Sequence, residues 1–174
     1  MSLAKELADR LGGSVVVVGI GNPLRGDDAA GCEVARRLQG RSAALVVNAE
    51  EIPESHLVGI AAARPDTVLF VDAVDLGAAP GSLAMVEAQQ MGGYCPSTHR
   101  MPLGLLMECL RRDTAADVFL VAVQPGRIGF GEPMSAEVTA SITLLIDTLE
   151  GLLPAPPAGA GSPGTAKLEG RTPC

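Results

Sequence analysis

Residues 14–39 read SVVVVGIGNPLRGDDAAGCEVARRLQ, and this stretch decides the fold class. Ser14–Gly19 is β-branched and apolar on both faces, a pattern typical of a central parallel strand. Asp27–Gln39 shows apolar residues at helical spacing along one face, which predicts an amphipathic helix. A buried strand joined to a helix by a glycine-rich loop is the first half of a βαβ unit, so an α/β fold is expected.

The rest of the chain repeats this alternation of strand and helix. Further strands are predicted at Ala44–Asn48, Thr67–Val71 and Asp117–Val123, with an antiparallel edge strand at Gly81–Ala88. Helices are predicted in the N-terminal MSLAKELADRLGG stretch and at Pro53–Ala63, Pro102–Arg112 and Ser135–Glu150. This order predicts a three-layer α/β sandwich, in which helices flank a mostly parallel sheet of roughly five strands.

Length and composition predict one folded domain with a short appendage. The chain has 174 residues, of which 47% are hydrophobic, enough for a single full-sized core over residues 1–153. Residues 154–174 are rich in Pro, Gly and Ala without periodicity, and we expect them to be disordered.

Charge and cysteine usage exclude several classes of partner. A net charge of -7 opposes binding to nucleic acid or to an anionic membrane surface. No apolar run reaches membrane-spanning length, and the N-terminus lacks the apolar centre of a signal peptide. The four cysteines form no CxxC pair and are read as free thiols. Together these features predict a cytoplasmic protein, and we expect a monomer.

The loop after the first strand resembles a phosphate-binding turn but has the wrong charge. Gly21 and Gly26 match the glycines of a GxxxxGK motif, yet Asp27 and Asp28 follow where a cation should stand. The dinucleotide fingerprint fails as well, because its third glycine position holds Leu24. Two readings remain open: the aspartates cap the following helix, or they face a cationic ligand.

Fold geometry places three polar segments at one edge of the predicted sheet. Ligands of open parallel sheets bind beyond the carboxyl ends of the strands, where Asn22–Asp28, Asn48–Glu51 and Asp72 follow successive strands. If the first and third strands are neighbours, Asp28 and Asp72 face one crevice. Two carboxylates in one pocket repel unless a proton or a cation lies between them.

His99, in the loop CPSTHRMPLG, is the candidate that completes a metal site. An imidazole with two carboxylates suits a borderline divalent metal such as nickel or zinc, and three ligands leave positions open for chemistry. A competing interpretation pairs Cys95 with His99 as an activated thiol nucleophile, but no orienting third group is evident. Asp72 by itself is also compatible with a simple turn after a strand.

At these residues the sequence resembles the endopeptidases that mature [NiFe]-hydrogenase large subunits, in particular the branch that serves hydrogenases of the formate-hydrogenlyase type. The resemblance spans roughly residues 14–152. Its matching pieces are GIGNPLRGDDAAG (19–31), VLFVDAVDLGAAPGS (68–82), STHRMPLGLLMECL (97–110) and FLVAVQPGRIGFGEPMS (119–135). The combination of GN…DD, VDA and THxMPL is specific, although each piece alone is weak.

The resemblance implies an activity and a set of site residues. Members of that family remove a C-terminal extension from the large-subunit precursor after nickel has been inserted, so nickel comes with the substrate. The metal contacts of the family fall on Asp28, Asp72 and His99, and the same two aspartates are the candidate catalytic groups of a peptidase of aspartic type. We expect contacts to the substrate from the following residues: Gly21, Asn22, Asp27, Glu50 and Glu51.

One segment departs from the family pattern. Members commonly carry Asp-Gly and a small residue after the second strand, whereas this chain reads Asn48-Ala49-Glu50-Glu51. The acidic loop residues suit a basic segment near the cut, which the resemblance also implies, although solvated loops carry such charges too. Two alternatives stay open: a nickel-sensing chaperone without enzymatic activity, and a peptidase of the same fold with an unrelated substrate.

Overall fold

The computed structural model describes residues 2–91 and 101–156. Its strands are Val15–Ile20 (β1), Leu45–Glu50 (β2), Thr67–Ala73 (β3), Leu83–Val86 (β4) and Asp117–Val123 (β5). Its α-helices are Leu3–Arg10 (α1), Ala30–Leu38 (α2), Leu57–Ala62 (α3), Leu103–Thr114 (α4) and Ala136–Leu152 (α5).

The strands form one five-stranded sheet in the order β2-β1-β3-β5-β4. β1 pairs in parallel with both β2 and β3, and β3 pairs in parallel with β5. β4 runs antiparallel to β5 at the far edge, which confirms the predicted edge strand. Because β1 lies between two parallel neighbours, all of its residues are buried, as its unbroken apolar sequence requires.

Helices cover both faces of the sheet, so the predicted three-layer sandwich is confirmed. Val15 and Val17 of β1 belong to the core on the side of α1, α2 and α5. Val16 and Val18 belong to the core on the opposite side, which α3 and α4 cover. The alternation follows from the period of two along a strand, so one valine run serves two cores.

Contact between glycines sets the distance between α2 and the sheet. A methyl group on Gly31 would lie 2.1 Å from the carbonyl oxygen of Val71 and 2.3 Å from that of Ile20. One on Gly19 would lie 2.0 Å from the carbonyl oxygen of Gly31. The helix backbone therefore rests on the backbones of β1 and β3, and this draws the loop between β1 and α2 over the carboxyl ends of both strands.

Several element ends differ from the sequence prediction. The predicted helix Asp27–Gln39 starts as a 3-10 turn over Gly26–Ala29 and becomes α-helical at Ala30. β2 runs two residues beyond Asn48, because Glu50 still pairs with Ile20 of β1. β3 runs to Ala73, because Asp72 still pairs with Ala122 of β5. Polar residues at these ends keep the sheet hydrogen bonds, which hydropathy does not reveal.

The end of the described chain is tied to the fold. Ser135 caps α5, and its Oγ accepts a hydrogen bond from Val138 N, as predicted. After α5, the carbonyl oxygen of Pro154 accepts a hydrogen bond of 2.8 Å from Ala43 N. Residues 157–174, most of the predicted tail, lie outside the described residues. Within residues 2–91 and 101–156, no helix is long and apolar enough to cross a membrane.

We expect Gly31→Ala to destabilise the fold strongly. Its methyl group meets two backbone carbonyls that cannot move without separating α2 from the sheet, so the free energy of unfolding should fall by about 3 kcal/mol. The matched control is Gly151→Ala in α5, where a methyl group meets nothing within 4 Å. Urea denaturation of both variants checks this, and a G31A curve that coincides with wild type would contradict the close contact.

Candidate active site at the carboxyl edge of the sheet

The loop after β1 holds Asp28 through backbone geometry that requires glycine. Gly21 has a φ of 137°, and a methyl group on it would lie 1.8 Å from the carbonyl oxygen of Asp28. Gly21 N donates a hydrogen bond of 3.0 Å to the carbonyl oxygen of Glu50 on β2. The Asp28 carboxylate is half-buried, and its Oδ2 accepts a hydrogen bond of 3.1 Å from Asn22 N. The carboxylate is thus held at the end of β1.

Asp72 lies beside Asp28 at the end of the neighbouring strand. By alternation along β3, Asp72 is on the same side of the sheet as Val68 and Phe70, the side covered by α3 and α4. Burial raises the pKa of Asp72 to about 7, and the Asp28 charge adds to this, against a hydrogen bond from the Ala73 N–H. A neutral solution therefore leaves a proton on Asp72 for part of the time, unless a cation compensates both charges.

Cys32 is buried near these acids and is not suited to act as a nucleophile. Its side chain is 5% exposed, and its Sγ donates a hydrogen bond of 3.2 Å to the carbonyl oxygen of Gly21. Burial raises the pKa of Cys32 to about 12, helped by the charges of Glu50, Asp72 and Asp28. The thiol therefore stays protonated at neutral pH.

Glu50 has an unusual backbone conformation at the rim of this site. Its φ is 49°, in the left-handed region, and the β1–β2 register shifts between Gly19 and Ile20, opposite Glu50. A residue other than glycine costs free energy in this conformation, and such strain concentrates at functional sites. The side chain is exposed, and the neighbouring Glu51 is half-buried, so both acidic groups are accessible at the end of β2.

Asp27 has a structural role, which corrects its expected contact with substrate. Its side chain is fully buried, and its Oδ2 accepts hydrogen bonds from Gly126 N, Arg127 N and Ser135 Oγ at 2.8, 3.0 and 2.9 Å. Its Oδ1 accepts another of 2.6 Å from Ser135 N. Burial acts to raise the pKa of Asp27, but these hydrogen bonds outweigh it and lower the pKa. No surface of the carboxylate remains for a substrate.

The expectation that Asp27 caps the helix after it is therefore wrong. The carboxylate makes no capping bond to its own helix, α2. It binds instead to Ser135, the residue that caps α5 more than a hundred residues later. From sequence alone, an aspartate is expected to cap the helix that follows it. In the folded chain, the sheet order brings the start of α5 next to Asp27.

The structure brings together some of the predicted site residues. Gly21, Asn22, Asp28 and Asp72 lie at the carboxyl ends of β1 and β3, and Glu50 and Glu51 lie at the adjoining edge of β2. His99 and Cys95 lie outside the described residues. Among residues 2–91 and 101–156, no three His, Cys, Asp or Glu side chains are grouped so as to hold a metal ion. The described part of the site is thus a carboxylate pair.

Gln124 is a residue of this edge that the sequence analysis did not identify. It follows β5, is 7% exposed, and its Oε1 accepts hydrogen bonds from Leu76 N and Ala78 N at 2.6 and 3.3 Å. Its Nε2 donates a hydrogen bond of 3.2 Å to Asp75 Oδ1. Gln124 therefore shapes the loop after Asp72. The sequence feature that could have identified it is a side-chain amide directly after a buried strand, at the carboxyl edge of the sheet.

The chain is similar in sequence to a known protein family. The family described as HycI, hydrogenase maturation protease, matches residues 32–151. The Hydrogenase 3 maturation protease of Escherichia coli (strain K12) is 31% identical over 139 residues, which are 78% of this chain and 88% of that protein.

Solved structures agree with this similarity. The crystal structure of a [NiFe] hydrogenase maturation protease HycI from Thermococcus kodakarensis KOD1 is 35% identical with a TM-score of 0.78, over 85% of this chain and 98% of that one. The solution structure of an endopeptidase HycI from Escherichia coli is 30% identical with a TM-score of 0.71, over 80% and 90% of the two chains.

The raised pKa of Asp72 gives a testable pH dependence. In metal-free protein, carboxyl-carbon NMR should show Asp72 titrating near pH 7, and Asp28→Asn should move this pKa down because a neighbouring charge is removed. The exposed Asp147→Asn is the matched control.

The same shift has a consequence for stability. Between 3.8, the ordinary carboxyl pKa, and about 7, folded Asp72 keeps a proton that the unfolded chain has lost. The free energy of unfolding should therefore fall as pH rises through this window, and Asp72→Asn should flatten the dependence. An Asp72 resonance that titrates near 4 in the wild-type protein would refute both expectations.

Proposed function

This chain belongs to the hydrogenase maturation protease family, and from that premise we propose that it is an endopeptidase acting on a [NiFe]-hydrogenase large-subunit precursor. It removes the C-terminal extension after nickel has been inserted into the precursor. The nickel is part of the substrate, and the protein recognises it through Asp28, Asp72 and His99. The single observation that carries this proposal is the pair of acids at the ends of β1 and β3, whose charges interact in one partly buried place.

The carboxylate pair is more stable with a cation bound between the two acids than without one. Burial, and to a lesser extent the neighbouring Asp28 charge, raise the free energy of ionised Asp72, and its raised pKa expresses that cost. A divalent ion carried by the precursor removes the repulsion and lets both acids ionise. A precursor without nickel offers no such compensation, so the difference in charge favours the loaded substrate.

His99 is proposed as the third contact on the basis of its position in the chain. The described fold resumes at Met101, two residues after His99, and α4 begins at Leu103. α4 packs on the side of the sheet where Asp72 lies, through Leu106 and Met107. An imidazole joined to two carboxylates would give a nitrogen and oxygen ligand set that nickel accepts.

Hydrolysis requires a polarised carbonyl and an activated water. The metal of the bound precursor supplies the polarisation, and one of the two aspartates accepts the proton of the attacking water as general base. Docking through the metal holds the scissile bond against this pair, so positioning contributes to the rate as well. Cys32 takes no part in this chemistry, because its thiol is buried and stays protonated.

The rim residues extend the proposal to the peptide around the cut. Glu50 is exposed and Glu51 half-buried at the end of β2, where their charges would attract a basic residue of the precursor. Asn22 is half-buried and stays a proposed contact to the substrate, whereas Gly21 is buried and its backbone is already bonded to Glu50 and Cys32. We expect the protein to act in the cytoplasm and as a monomer.

Incubation of nickel-loaded precursor with this protein should release a C-terminal peptide, measured as a loss of intact mass. A nickel-free precursor should keep its mass, because it lacks the cation that the acids recognise. We expect Asp28→Asn, Asp72→Asn and His99→Ala to slow the release at least ~100-fold. Asp147→Asn, an exposed change on α5, should process normally.

Other outcomes of this assay support the alternatives. Binding of the loaded precursor without loss of mass, with a precursor known to be competent, would favour a chaperone without peptidase activity. Equal cleavage of loaded and nickel-free precursor would remove metal recognition while leaving the peptidase. Neither binding nor cleavage would point to an unrelated substrate.

Reversal of the rim charges should slow the encounter with precursor. The double variant Glu50→Lys and Glu51→Lys is expected to lower kcat/KM by about 10-fold at low salt and less at high salt, because steering is screened. Asp113→Lys with Asp147→Lys changes the net charge equally at exposed sites far along the chain and serves as control. An unchanged rate with an unchanged salt dependence would show that Glu50 and Glu51 are solvated charges with no role in attracting the precursor.

A further inference from the structure

Two loops beside the carboxylate pair expose large apolar side chains to solvent. Leu24, in the loop after β1, is 59% exposed. Ile128 and Phe130, in the loop between β5 and α5, are 47% and 78% exposed. We call residues 22–25 together with 126–131 the apolar loop pair. An exposed phenylalanine stabilises no core, so the two loops gain nothing from it in the isolated fold.

Hydrogen bonds between the two loops hold these side chains in place. Gly131 N donates a hydrogen bond of 2.8 Å to the carbonyl oxygen of Leu24. Arg25 Nε donates one of 3.3 Å to the carbonyl oxygen of Ile128. Asp27 N donates a further hydrogen bond, of 2.9 Å, to the carbonyl oxygen of Arg127. The apolar side chains are therefore presented on an ordered backbone, and binding through them costs little conformational entropy.

The charge of the apolar loop pair is opposite to that of the whole protein. Arg25 and Arg127 are exposed beside the apolar side chains, in a chain whose net charge is -7. Glu132 is the acidic residue that follows them in the same loop. An apolar centre with arginine at its border is the composition of an interface hot spot, and the arginines select a partner surface bordered by carboxylates.

The apolar loop pair is continuous with the candidate active site. Asn22 N donates to the Asp28 carboxylate, while Asn22 Oδ1 accepts a hydrogen bond of 2.9 Å from Leu24 N. A cleft of about 290 Å³ lies next to it, with Pro23, Cys32 and Met134 among its lining residues. A protein whose segment reaches Asp28 therefore comes close to these loops.

We propose that the apolar loop pair is the docking surface for the folded body of the large-subunit precursor. This inference rests on the proposed function and adds a contact outside the bond-cutting site. Phe130 and Leu24 pack against an apolar surface of the precursor, and Arg25 and Arg127 pair with carboxylates at its border. Docking orients the precursor so that its C-terminal segment enters the crevice between Asp28 and Asp72.

A second copy of this chain fits the surface less well. A two-fold contact of the patch with itself brings Arg25 and Arg127 of both copies into one small interface, and the excess of like charge opposes the association. Stable interfaces bury about 800 Å² on each partner, more than three side chains supply. The rest of the buried area has to come from the adjoining active-site edge. That edge is covered when the partner is the protein being processed.

Steady-state processing of nickel-loaded precursor tests this surface. We expect Phe130→Ser to raise KM about 10-fold with kcat within a factor of two, because the contact is made before and during the reaction alike. The double variant with Leu24→Ser should raise KM further, and Phe130→Leu should restore most of the wild-type value. Val58→Ser, on α3 and 83% exposed in wild type, is the matched control and should change neither constant.

Other results overturn the inference. If wild type cleaves the precursor and both serine variants keep its KM, the docking surface is elsewhere, while the proposed function stands. If wild type neither binds nor cleaves the precursor, the proposed function and this inference fail together. Concentration-dependent self-association of wild type, abolished by Phe130→Ser in sedimentation velocity, would make the surface an interface between copies. If Phe130→Ser lowers the melting temperature, Arg127→Glu decides instead: a raised KM supports the docking surface, and an unchanged KM places it elsewhere.

Discussion

The backbone of α2 rests on the backbones of β1 and β3 at Gly31, where a methyl group would stand 2.1 Å from the carbonyl oxygen of Val71. Few residues can make this contact, because any side chain would push the helix from the sheet. With the helix this close, the loop after β1 crosses the end of β3. Asp28 then comes so near Asp72 that the two charges interact. The carboxylate pair therefore depends on the short distance between α2 and the sheet.

Asp27 and Asp28 are neighbours in sequence and serve opposite purposes. Asp27 is buried, and its hydrogen bonds to Gly126, Arg127 and Ser135 join the loop after β1 to the start of α5. Asp28 is half-buried, accepts a hydrogen bond from Asn22 N, and its charge acts on Asp72 of the neighbouring strand. The first carboxylate has enough donors to stay ionised in the interior. Burial raises the pKa of Asp72, and the charge of the second carboxylate, Asp28, adds to this effect.

The fold and the carboxylate pair were predictable because they depend on local patterns and on one topological rule. Ser14–Gly19 is apolar on both faces, and its parallel neighbours on either side confirm that reading. Asp28 and Asp72 follow two such strands, so parallel pairing brings them together. The burial of Asp27 was not predictable, since its donors lie near residues 126–135, about a hundred positions away. The role of Gln124 and the strained backbone of Glu50 were missed for the same reason.

By itself, the sequence determined the order of strands and helices, the apolar faces that form two cores, and the acids at the strand ends, because periodicity and turn chemistry are local properties. Only the tertiary structure decided which of two adjacent aspartates is buried, and how strongly the remaining acids interact. It also decided that Leu24 and Phe130 stand on one hydrogen-bonded pair of loops. Each of these depends on distances between segments far apart in the chain, and such distances arise only when the sheet and α2 pack together.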